Sequence, residues 1–295
     1  MSLNYIVPEN KKLRVIIDTD AACEADDPFA IVHALLSKKL EVKAIFAEHF
    51  GYPGTTQKSY DEIITILNAM SISVPVYRGE QCKLSQLQGI EISEASHFLI
   101  EEANRNDEKP LFVLCIGAIT NIATAIRKCP EIIKKMTVVW IGGHNHDVSK
   151  PDNREFNAGN DIEAINLVIS SGVEFWQIPN NVYGSMHIGI AEIQKRIFPC
   201  GKIGQHLFEN LVKYNQSEHA GWTAGESWSL GDSPAVGVVL EQNCGHYAYR
   251  EAPIFNEDTS YRFERGRPLI RVYQSINSRF IIEDFISKLQ LMYIT

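Results

Sequence analysis

The fold is decided by residues 13–29, which read LRVIIDTDAACEADDPF. The β-branched run at 15–17 predicts a buried strand that leads directly into Asp18 and Asp20. The Asp-Asp-Pro sequence that follows is typical of a helix start, because proline lacks an N–H that the first turn does not need. We therefore predict a strand, a short acidic loop and a helix, with Asp27 as the N-cap.

The same alternation continues along the chain, where short β-branched runs are followed by longer amphipathic segments. This order indicates βαβ units on a parallel sheet. We predict an α/β fold: a single domain over 1–295 with a largely parallel central sheet flanked by helices, Rossmann-like in outline. The predicted strands are 13–18, 42–47, 111–115, 137–141 and 173–178, and the predicted helices are 28–37, 57–70, 120–128 and 161–171.

The second half of the chain is less regular. Residues 180–230 predict helices near 190–198 and 201–214 and then become rich in Gly, Ser and Trp, which is typical of a lid over an active site. Beyond them we expect two strands added antiparallel to the sheet, at 248–255 and 267–275. A closing helix is predicted at 278–292.

Composition narrows the class of protein. The formal net charge of −8 argues against a nucleic-acid partner, because such proteins usually present a basic face to phosphate. None of the six cysteines forms a CxxC pair, which favours a reducing compartment. The N-terminus lacks the pattern of a signal peptide, and no stretch approaches the roughly 18 apolar residues of a membrane span. We expect a cytoplasmic protein without a membrane partner.

The acidic loop is the strongest candidate site. Asp18, Asp20, Glu24, Asp26 and Asp27 fall within ten residues, and like charges this close repel unless a cation neutralises them. They follow the carboxyl end of a strand, which is where open α/β sheets bind ligands. Ca²⁺ prefers such oxygen ligands. The alternative is that two carboxylates cap the helix, each contributing about 0.3–1 kcal/mol, while the others are solvated.

Residues 18–27, DTDAACEADD, resemble the N-terminal signature of the inosine–uridine-preferring nucleoside hydrolases, which is DxD, a small-residue loop and DD. Three further segments resemble the family's motifs in the same order. LCIGAITNIA at 114–123 is similar to LGPLTNIA, and IGG at 141–143 with EFN at 155–157 is similar to IMGG and EFN. GDSPA at 231–235 is similar to HDPxA.

The resemblance implies a calcium site and a general base. Carried over position by position, the carboxylates of Asp20, Asp27 and Asp232 and the main-chain carbonyl of Ile116 would bind Ca²⁺. Asp26 would be the general base that takes a proton from the attacking water. The neighbouring Asp18 would support the loop rather than touch the metal.

The resemblance also implies substrate contacts. Glu155 and Asn157 match sugar-binding positions of the family, and Asn153 is a further candidate for the sugar. His49 is a candidate substrate contact and proton donor, since histidine titrates near neutral pH. Trp228 could stack on a base, with packing inside a loop as the alternative.

Two departures from the family's pattern concern the substrate. Glu48 and His49 stand where the family commonly has Gly-Asn, whose Asn reaches the ribose. Gly231 stands where many members have the histidine that protonates the leaving base, and glycine cannot donate a proton from a side chain. Replacement donors among the histidines are His49, His144, His146 and His219.

These observations predict Ca²⁺-dependent hydrolysis of the N-glycosidic bond of a nucleoside to free base and ribose. The alternatives are another ribosyl or glycoside substrate on the same fold and metal, or a non-catalytic protein that binds calcium or a ribosyl ligand. Asp26 counts against the last, because a purely structural metal site has no need of a base. The partner would be a small-molecule nucleoside or ribosyl compound, and analogy with the family suggests a homodimer or homotetramer.

Overall fold

The computed structural model describes residues 3–87, 91–148 and 151–294. Its twelve strands form one eight-stranded sheet and two small two-stranded sheets. The strands are β1 Leu13–Thr19, β2 Leu40–Ala47, β3 Val76–Arg78, β4 Leu111–Cys115, β5 Thr137–Ile141, β6 Glu174–Ile178, β7 His187–Gly189, β8 Ser227–Ser229, β9 Gly245–Glu251, β10 Ile254–Phe255, β11 Tyr261–Arg262 and β12 Leu269–Ile276.

The large sheet has the strand order β3-β2-β1-β4-β5-β6-β12-β9. Every neighbouring pair is parallel except β12 with β9, which is antiparallel. The predicted α/β class with a largely parallel central sheet is thereby confirmed. The assignment of 1–295 to one domain stays a prediction.

Helices cover both faces of this sheet. In β1, Val15 and Ile17 belong to one buried apolar cluster and Ile16 to the other, because successive strand residues point to opposite faces. Burial on both faces explains why the strands read as continuous apolar runs. The helices are α1 Asp27–Leu36, α2 Thr55–Met70, α3 Glu94–Asn104, α4 Thr120–Lys128, α5 Phe156–Asn160, α6 Ile162–Ser170, α7 Asn180–Tyr183, α8 Ile190–Arg196, α9 Gly201–Asn215, α10 Ser233–Leu240 and α11 Ser278–Tyr293.

The start of α1 differs by one residue from the prediction. Asp26, rather than Asp27, is the N-cap, and its side chain makes no capping hydrogen bond. The carboxylate of Asp27 instead accepts a hydrogen bond from the hydroxyl of Thr19 at 2.5 Å. Neither Asp26 nor Asp27 therefore caps α1 with its carboxylate.

The segment 180–230 is not the loose lid that its composition suggested. It contains α7 to α9 and the β7–β8 pair, and its residues Met186, Ile188, Leu207 and Trp228 are buried in the core. The burial of these apolar side chains in one core cluster outweighs the local excess of small residues.

Two antiparallel strands were predicted in the C-terminal part. β9 is antiparallel to its neighbour, whereas β12, predicted at 267–275, joins the sheet parallel to β6, and the predicted strand 248–255 is divided. β9 ends at Glu251, and after Ala252 and Pro253 the chain enters β10, which pairs with β11 as a separate hairpin. Proline interrupts the ladder because it has no N–H to donate. Among the described residues, no helix is long and apolar enough to cross a membrane.

Candidate active site

The carboxyl ends of the parallel strands and the first turns of two helices enclose a cavity with an empty volume of about 410 Å³. β1 leads into Asp20, β4 into Ile116 and β5 ends at Ile141 on its wall. The N-termini of α1 and α10 complete it. The lining residues are Asp20, Cys23, Glu24, Asp26, Asp27, Ile116, Ile141, Glu155, Phe156, Asn157, Tyr183, Gly231 and Asp232.

All four residues predicted to bind a metal line this cavity, together with the predicted base: Asp20, Asp27, Asp232, Ile116 and Asp26. Oxygens of Asp26, Asp27 and Asp232 lie within 4.8 Å of one another. This group contains the predicted base but not Asp20, which lines the same cavity. The structure thus brings Asp232, from far along the chain, to the acidic loop after β1.

Two helix starts orient these carboxylates. Asp26 and Asp232 are the N-cap residues of α1 and α10, each helix has proline in its first turn, and neither N-cap side chain bonds its own helix. The partial positive charge of a helix N-terminus stabilises nearby carboxylates. Because neither carboxylate is used to cap its helix, the side chains of Asp26 and Asp232 are free to face the cavity.

Burial raises the pKa values of the acidic groups. Burial and the neighbouring Asp27 raise the pKa of Asp20 well above its usual value. Burial, with Glu24 and Asp27, does the same for the pKa of Asp26. The pKa of Asp27 rises to about 6 and that of Glu24 to about 7, mainly through burial. These shifts measure the cost of gathering buried negative charges.

In the described part of the chain, no lysine or arginine forms an ion pair with any of these cavity carboxylates. The negative charge of the cluster therefore lacks a protein counter-ion. A set of carboxylate oxygens with a nearby main-chain carbonyl suits a hard cation, for which oxygen is the preferred ligand. The residues present fit a divalent metal ion.

The predicted sugar-binding residues Glu155 and Asn157 also line the cavity. Glu155 is the N-cap of α5; its Oε2 accepts the N–H of Ala158 at 2.8 Å and its Oε1 accepts the hydroxyl of Tyr183 at 3.0 Å. The side-chain amide of Asn157 donates to the carbonyl of Ile141 at 2.9 Å. Both side chains are thus held in fixed positions on the cavity wall.

Three predicted substrate contacts lie outside the cavity. Asn153 is exposed on the loop before α5. His49 is buried, with Nε2 2.9 Å from the hydroxyl of Thr120, and burial lowers its pKa to about 4. Trp228 is 1% exposed and packs against Tyr214, so its packing interpretation fits this structure.

The other candidate histidines also lie away from the cavity. Nε2 of His144 is 2.9 Å from the hydroxyl of Thr259, and Nε2 of His146 is 2.8 Å from the side-chain carbonyl of Gln177. His219 is exposed. None of the three is among the lining residues.

Asp18 lies beneath the cavity in a second acidic group, with Glu48 and Cys115. Its Oδ1 accepts the side-chain amide of Asn121 at 2.7 Å, while Oε1 of Glu48 accepts the N–H of Thr120 at 2.6 Å. These bonds tie the carboxyl ends of β1 and β2 to the start of α4. Asp18 therefore occupies a supporting position under the acidic loop.

Sequence reasoning missed Tyr183 and Thr259. Tyr183 lies just beyond β6, and the carboxyl end of a parallel strand is a signal that could have marked it. Thr259 lies in the β10–β11 hairpin, far along the chain from the residues it contacts. No local pattern indicates its role.

Comparison with known proteins identifies the family. A sequence model of the family described as inosine-uridine preferring nucleoside hydrolase matches residues 15–280. The chain belongs to this family, and the resemblance seen in the four motifs is confirmed. It is accordingly a hydrolase that acts on nucleosides, by cleavage of the N-glycosidic bond.

Individual relatives are more distant. The pyrimidine-specific ribonucleoside hydrolase RihA of Salmonella paratyphi A is 28% identical over 238 residues, 71% of this chain and 75% of that protein. The structure of a purine-preferring ribonucleoside hydrolase from Gardnerella vaginalis has a TM-score of 0.80 at 19% identity, covering 96% of this chain and 100% of that one. The type III effector protein XopQ, solved with adenosine diphosphate ribose, has a TM-score of 0.73 at 12% identity, covering 98% and 96%. The two structures share this fold.

Proposed function

We propose that the chain hydrolyses nucleosides in a Ca²⁺-dependent reaction, with Asp26 as the general base, releasing free base and ribose. The observation that carries the proposal is the juxtaposition of Asp26 with Asp27 and Asp232 in one buried cavity. Glu155 and Asn157, to which we assign the sugar, line the same cavity.

Asp20, Asp27 and Asp232, with the carbonyl of Ile116, would hold Ca²⁺. When bound, this ion would neutralise the cluster and supply a Lewis acid that lowers the pKa of water. Ca²⁺ is favoured over Mg²⁺ because Ca²⁺ accepts many oxygen ligands in a flexible arrangement, whereas Mg²⁺ requires a near-ideal octahedron. The pairing of carboxylates without a protein counter-ion supports this assignment.

Asp26 would take a proton from water as its oxygen attacks the sugar carbon of the N-glycosidic bond. The surrounding carboxylates would stabilise the positive charge that develops on the sugar. Glu155 and Asn157 would bind the sugar hydroxyls and fix the attacked carbon next to Asp26.

Two alternatives keep the fold. Another ribosyl substrate is favoured by the likeness to XopQ, which was solved with a ribosyl ligand, and by the replacement of the family's Gly-Asn with Glu48 and His49. A non-catalytic calcium or ribosyl-binding protein would need no buried base, and Asp26 counts against it.

We further propose a homodimer or homotetramer in a cytoplasmic salvage role, for which sedimentation of the purified protein tests the assembly.

The proposed function is tested by release of base and reducing sugar from purine and pyrimidine nucleosides, with calcium or with EGTA. Asp26→Asn should lower kcat by about 10²–10⁴-fold, the usual contribution of a general base, while calcium binding measured by calorimetry persists. Asp20→Ala should lose calcium binding. Full activity of Asp26→Asn, or full activity in EGTA, would contradict the proposal.

The same assay separates the alternatives. Binding of ribose without turnover of any nucleoside would favour the non-catalytic protein. Absence of both would favour another substrate. Calcium binding by Asp20→Ala equal to that of the wild type would contradict the ligand assignment, whatever the activity.

A further inference from the structure

Tyr183 lines the cavity and lies next to two other residues that line it. Its hydroxyl donates to Oε1 of Glu155 at 3.0 Å. A Cβ atom placed on Gly231 would lie 3.3 Å from Cδ2 of Tyr183 and 3.1 Å from Oδ2 of Asp26. The tyrosine therefore lies near the predicted base as well as against the predicted sugar contact.

Hydrogen bonds to other elements fix the main chain around Tyr183. At the start of α7, the N–H of Asn180 donates to the carbonyl of Gly143 at 2.9 Å. At the end of α7, the carbonyl of Tyr183 accepts the hydroxyl of Ser229, the last residue of β8, at 3.2 Å. The short helix is thereby held between the loop after β5 and the strand that leads to Asp232, so the side chain of Tyr183 starts from a fixed position.

The hydroxyl of Tyr183 is a donor to an acidic side chain. Burial and the charge of Glu155 raise the pKa of Tyr183 well above its usual value, so the hydroxyl keeps its proton at neutral pH. Hydrogen bonds to an ionised carboxylate are roughly twice as strong as those between neutral groups. The contact between Tyr183 and Glu155 can therefore fix the orientation of the carboxylate.

Glu155 uses most of its acceptor positions within the protein. Its Oε2 accepts the N–H of Ala158 at 2.8 Å, and its Oε1 accepts the N–H of Asn157 at 3.4 Å. Both donors belong to α5, the helix that Glu155 caps, whereas the hydroxyl of Tyr183 comes from another element. A carboxylate offers about four acceptor positions, so about one is left for a substrate hydroxyl.

We propose that Tyr183 is a positioning residue for the sugar, which turns the carboxylate of Glu155 so that its remaining acceptor position faces one sugar hydroxyl. The inference rests on the proposed assignment of Glu155 to the sugar. The main-chain donors tie this carboxylate to its own helix. The hydroxyl of Tyr183 ties it to α7, which is anchored next to the segment of Asp232, so the sugar contact keeps its place relative to the metal-binding carboxylates.

Tyr183→Phe removes the hydroxyl and keeps the ring. With inosine or uridine, whichever the wild type cleaves faster, we expect kcat/KM to fall by about 10-fold or more, mainly through a higher KM, because a hydrogen bond to a charged group is lost. Tyr273→Phe is the matched control, since Tyr273 is 1% exposed and is not among the lining residues. It should leave kcat/KM unchanged, and calcium binding measured by calorimetry should persist in both variants. Equal kcat/KM values for the two variants would overturn the inference.

Substrates that lack one hydroxyl separate positioning from a general structural role. The 2′-, 3′- and 5′-deoxy forms of the nucleoside are compared with the parent compound in the wild type and in Tyr183→Phe. For the form that lacks the hydroxyl bound by Glu155, the substitution has no contact left to disturb, so its effect on kcat/KM should shrink to less than about twofold. Where a deoxy form is not cleaved, its inhibition constant against the parent nucleoside gives the same comparison. An equal loss for all four compounds would indicate a structural role and contradict the inference.

A double-mutant cycle tests whether Tyr183 acts through Glu155. Glu155→Ala should lower kcat/KM, and Tyr183→Phe added to it should lower kcat/KM further by less than about twofold. Glu155→Gln, which keeps an oxygen that can cap α5, replaces Glu155→Ala if that variant does not fold. Additive losses, or a loss in the Glu155 variant with none in Tyr183→Phe, would overturn the inference alone. An unchanged kcat/KM in the Glu155 variant would instead contradict the proposed sugar assignment on which the inference rests.

Discussion

Thr259 supports the active site through a single hydroxyl. The residue is fully buried with a φ of 65°, which is unusual for a β-branched residue. Its Oγ1 accepts the N–H of Glu155 at 2.9 Å, lies 2.9 Å from Nε2 of His144 and donates to the carbonyl of Asp258 at 2.6 Å. A strained backbone is retained here because one hydroxyl satisfies groups from two other segments.

Thr259→Val keeps the shape and branching but removes the hydroxyl, which leaves the buried N–H of Glu155 unpaired. We expect the free energy of unfolding to fall by about 1–3 kcal/mol, measured by urea denaturation. Thr259→Ser retains the hydroxyl and is the matched control, with a smaller loss. Equal losses for the two variants would show that the hydroxyl does not stabilise this segment.

At the scale of elements, a buried ion pair joins β1 to α3. Nη1 of Arg14 is 3.0 Å from Oε1 of Glu102, both side chains are nearly inaccessible, and the guanidinium also donates to the carbonyls of Glu102 and Lys109. Arg105 contacts the other carboxylate oxygen of Glu102 at 2.7 Å from the surface. The pair anchors the start of the strand whose other end carries the acidic loop.

Arg14→Met should therefore lower the free energy of unfolding by about 3–5 kcal/mol, because it leaves a buried carboxylate without its main partner. Arg14→Met combined with Glu102→Leu removes both charges, and we expect it to be more stable than the single variant by about 2 kcal/mol or more. Chemical denaturation of the two variants measures this difference. A double variant less stable than Arg14→Met would contradict the prediction.

At the scale of the whole molecule, the acidic cavity couples stability to pH and to calcium. The folded-state pKa values of Asp27, about 6, and Glu24, about 7, exceed the ordinary values of about 3.9 and 4.3. A carboxyl whose pKa is raised by folding stabilises the fold at low pH, and this contribution is lost as pH rises through the folded pKa. Without metal, stability should fall from about pH 4 to about pH 7.

Calcium should reverse this loss, because it binds the ionised carboxylates of the folded state. We expect the increase in Tm on adding calcium, relative to EGTA, to be larger at pH 8 than at pH 5, as measured by scanning calorimetry. The Asp20→Ala variant should show little calcium effect at either pH. A calcium-induced shift that is equal at the two pH values would contradict the charge repulsion argument.

The extent of prediction from sequence differed between parts of the molecule. The strand β1, the acidic loop and the helix after it could be predicted because β-branched runs and Asp-Asp-Pro act through local backbone preferences. The absence of a side-chain proton donor at Gly231 was noticed by comparison with the motif of the family that the chain resembles. The roles of His49 and Trp228 in substrate binding stay predictions; the structure buries both side chains outside the cavity lining, which the sequence could not indicate, because aromatic and imidazole rings occur both in binding sites and in cores.

The α/β order and the carboxylates at 18–27 could be predicted from the sequence because they depend on residues close together in the chain, and the family could be predicted from four short motifs in the right order. The tertiary structure was needed to show that Tyr183 lies beside Gly231 and that Thr259 holds Glu155, and it brings Asp232, which only the resemblance had assigned to the metal, next to Asp26 and Asp27. These contacts join segments far apart in sequence. They arise from the packing of helices and a hairpin around one sheet edge, and local helix and strand propensities do not predict such packing.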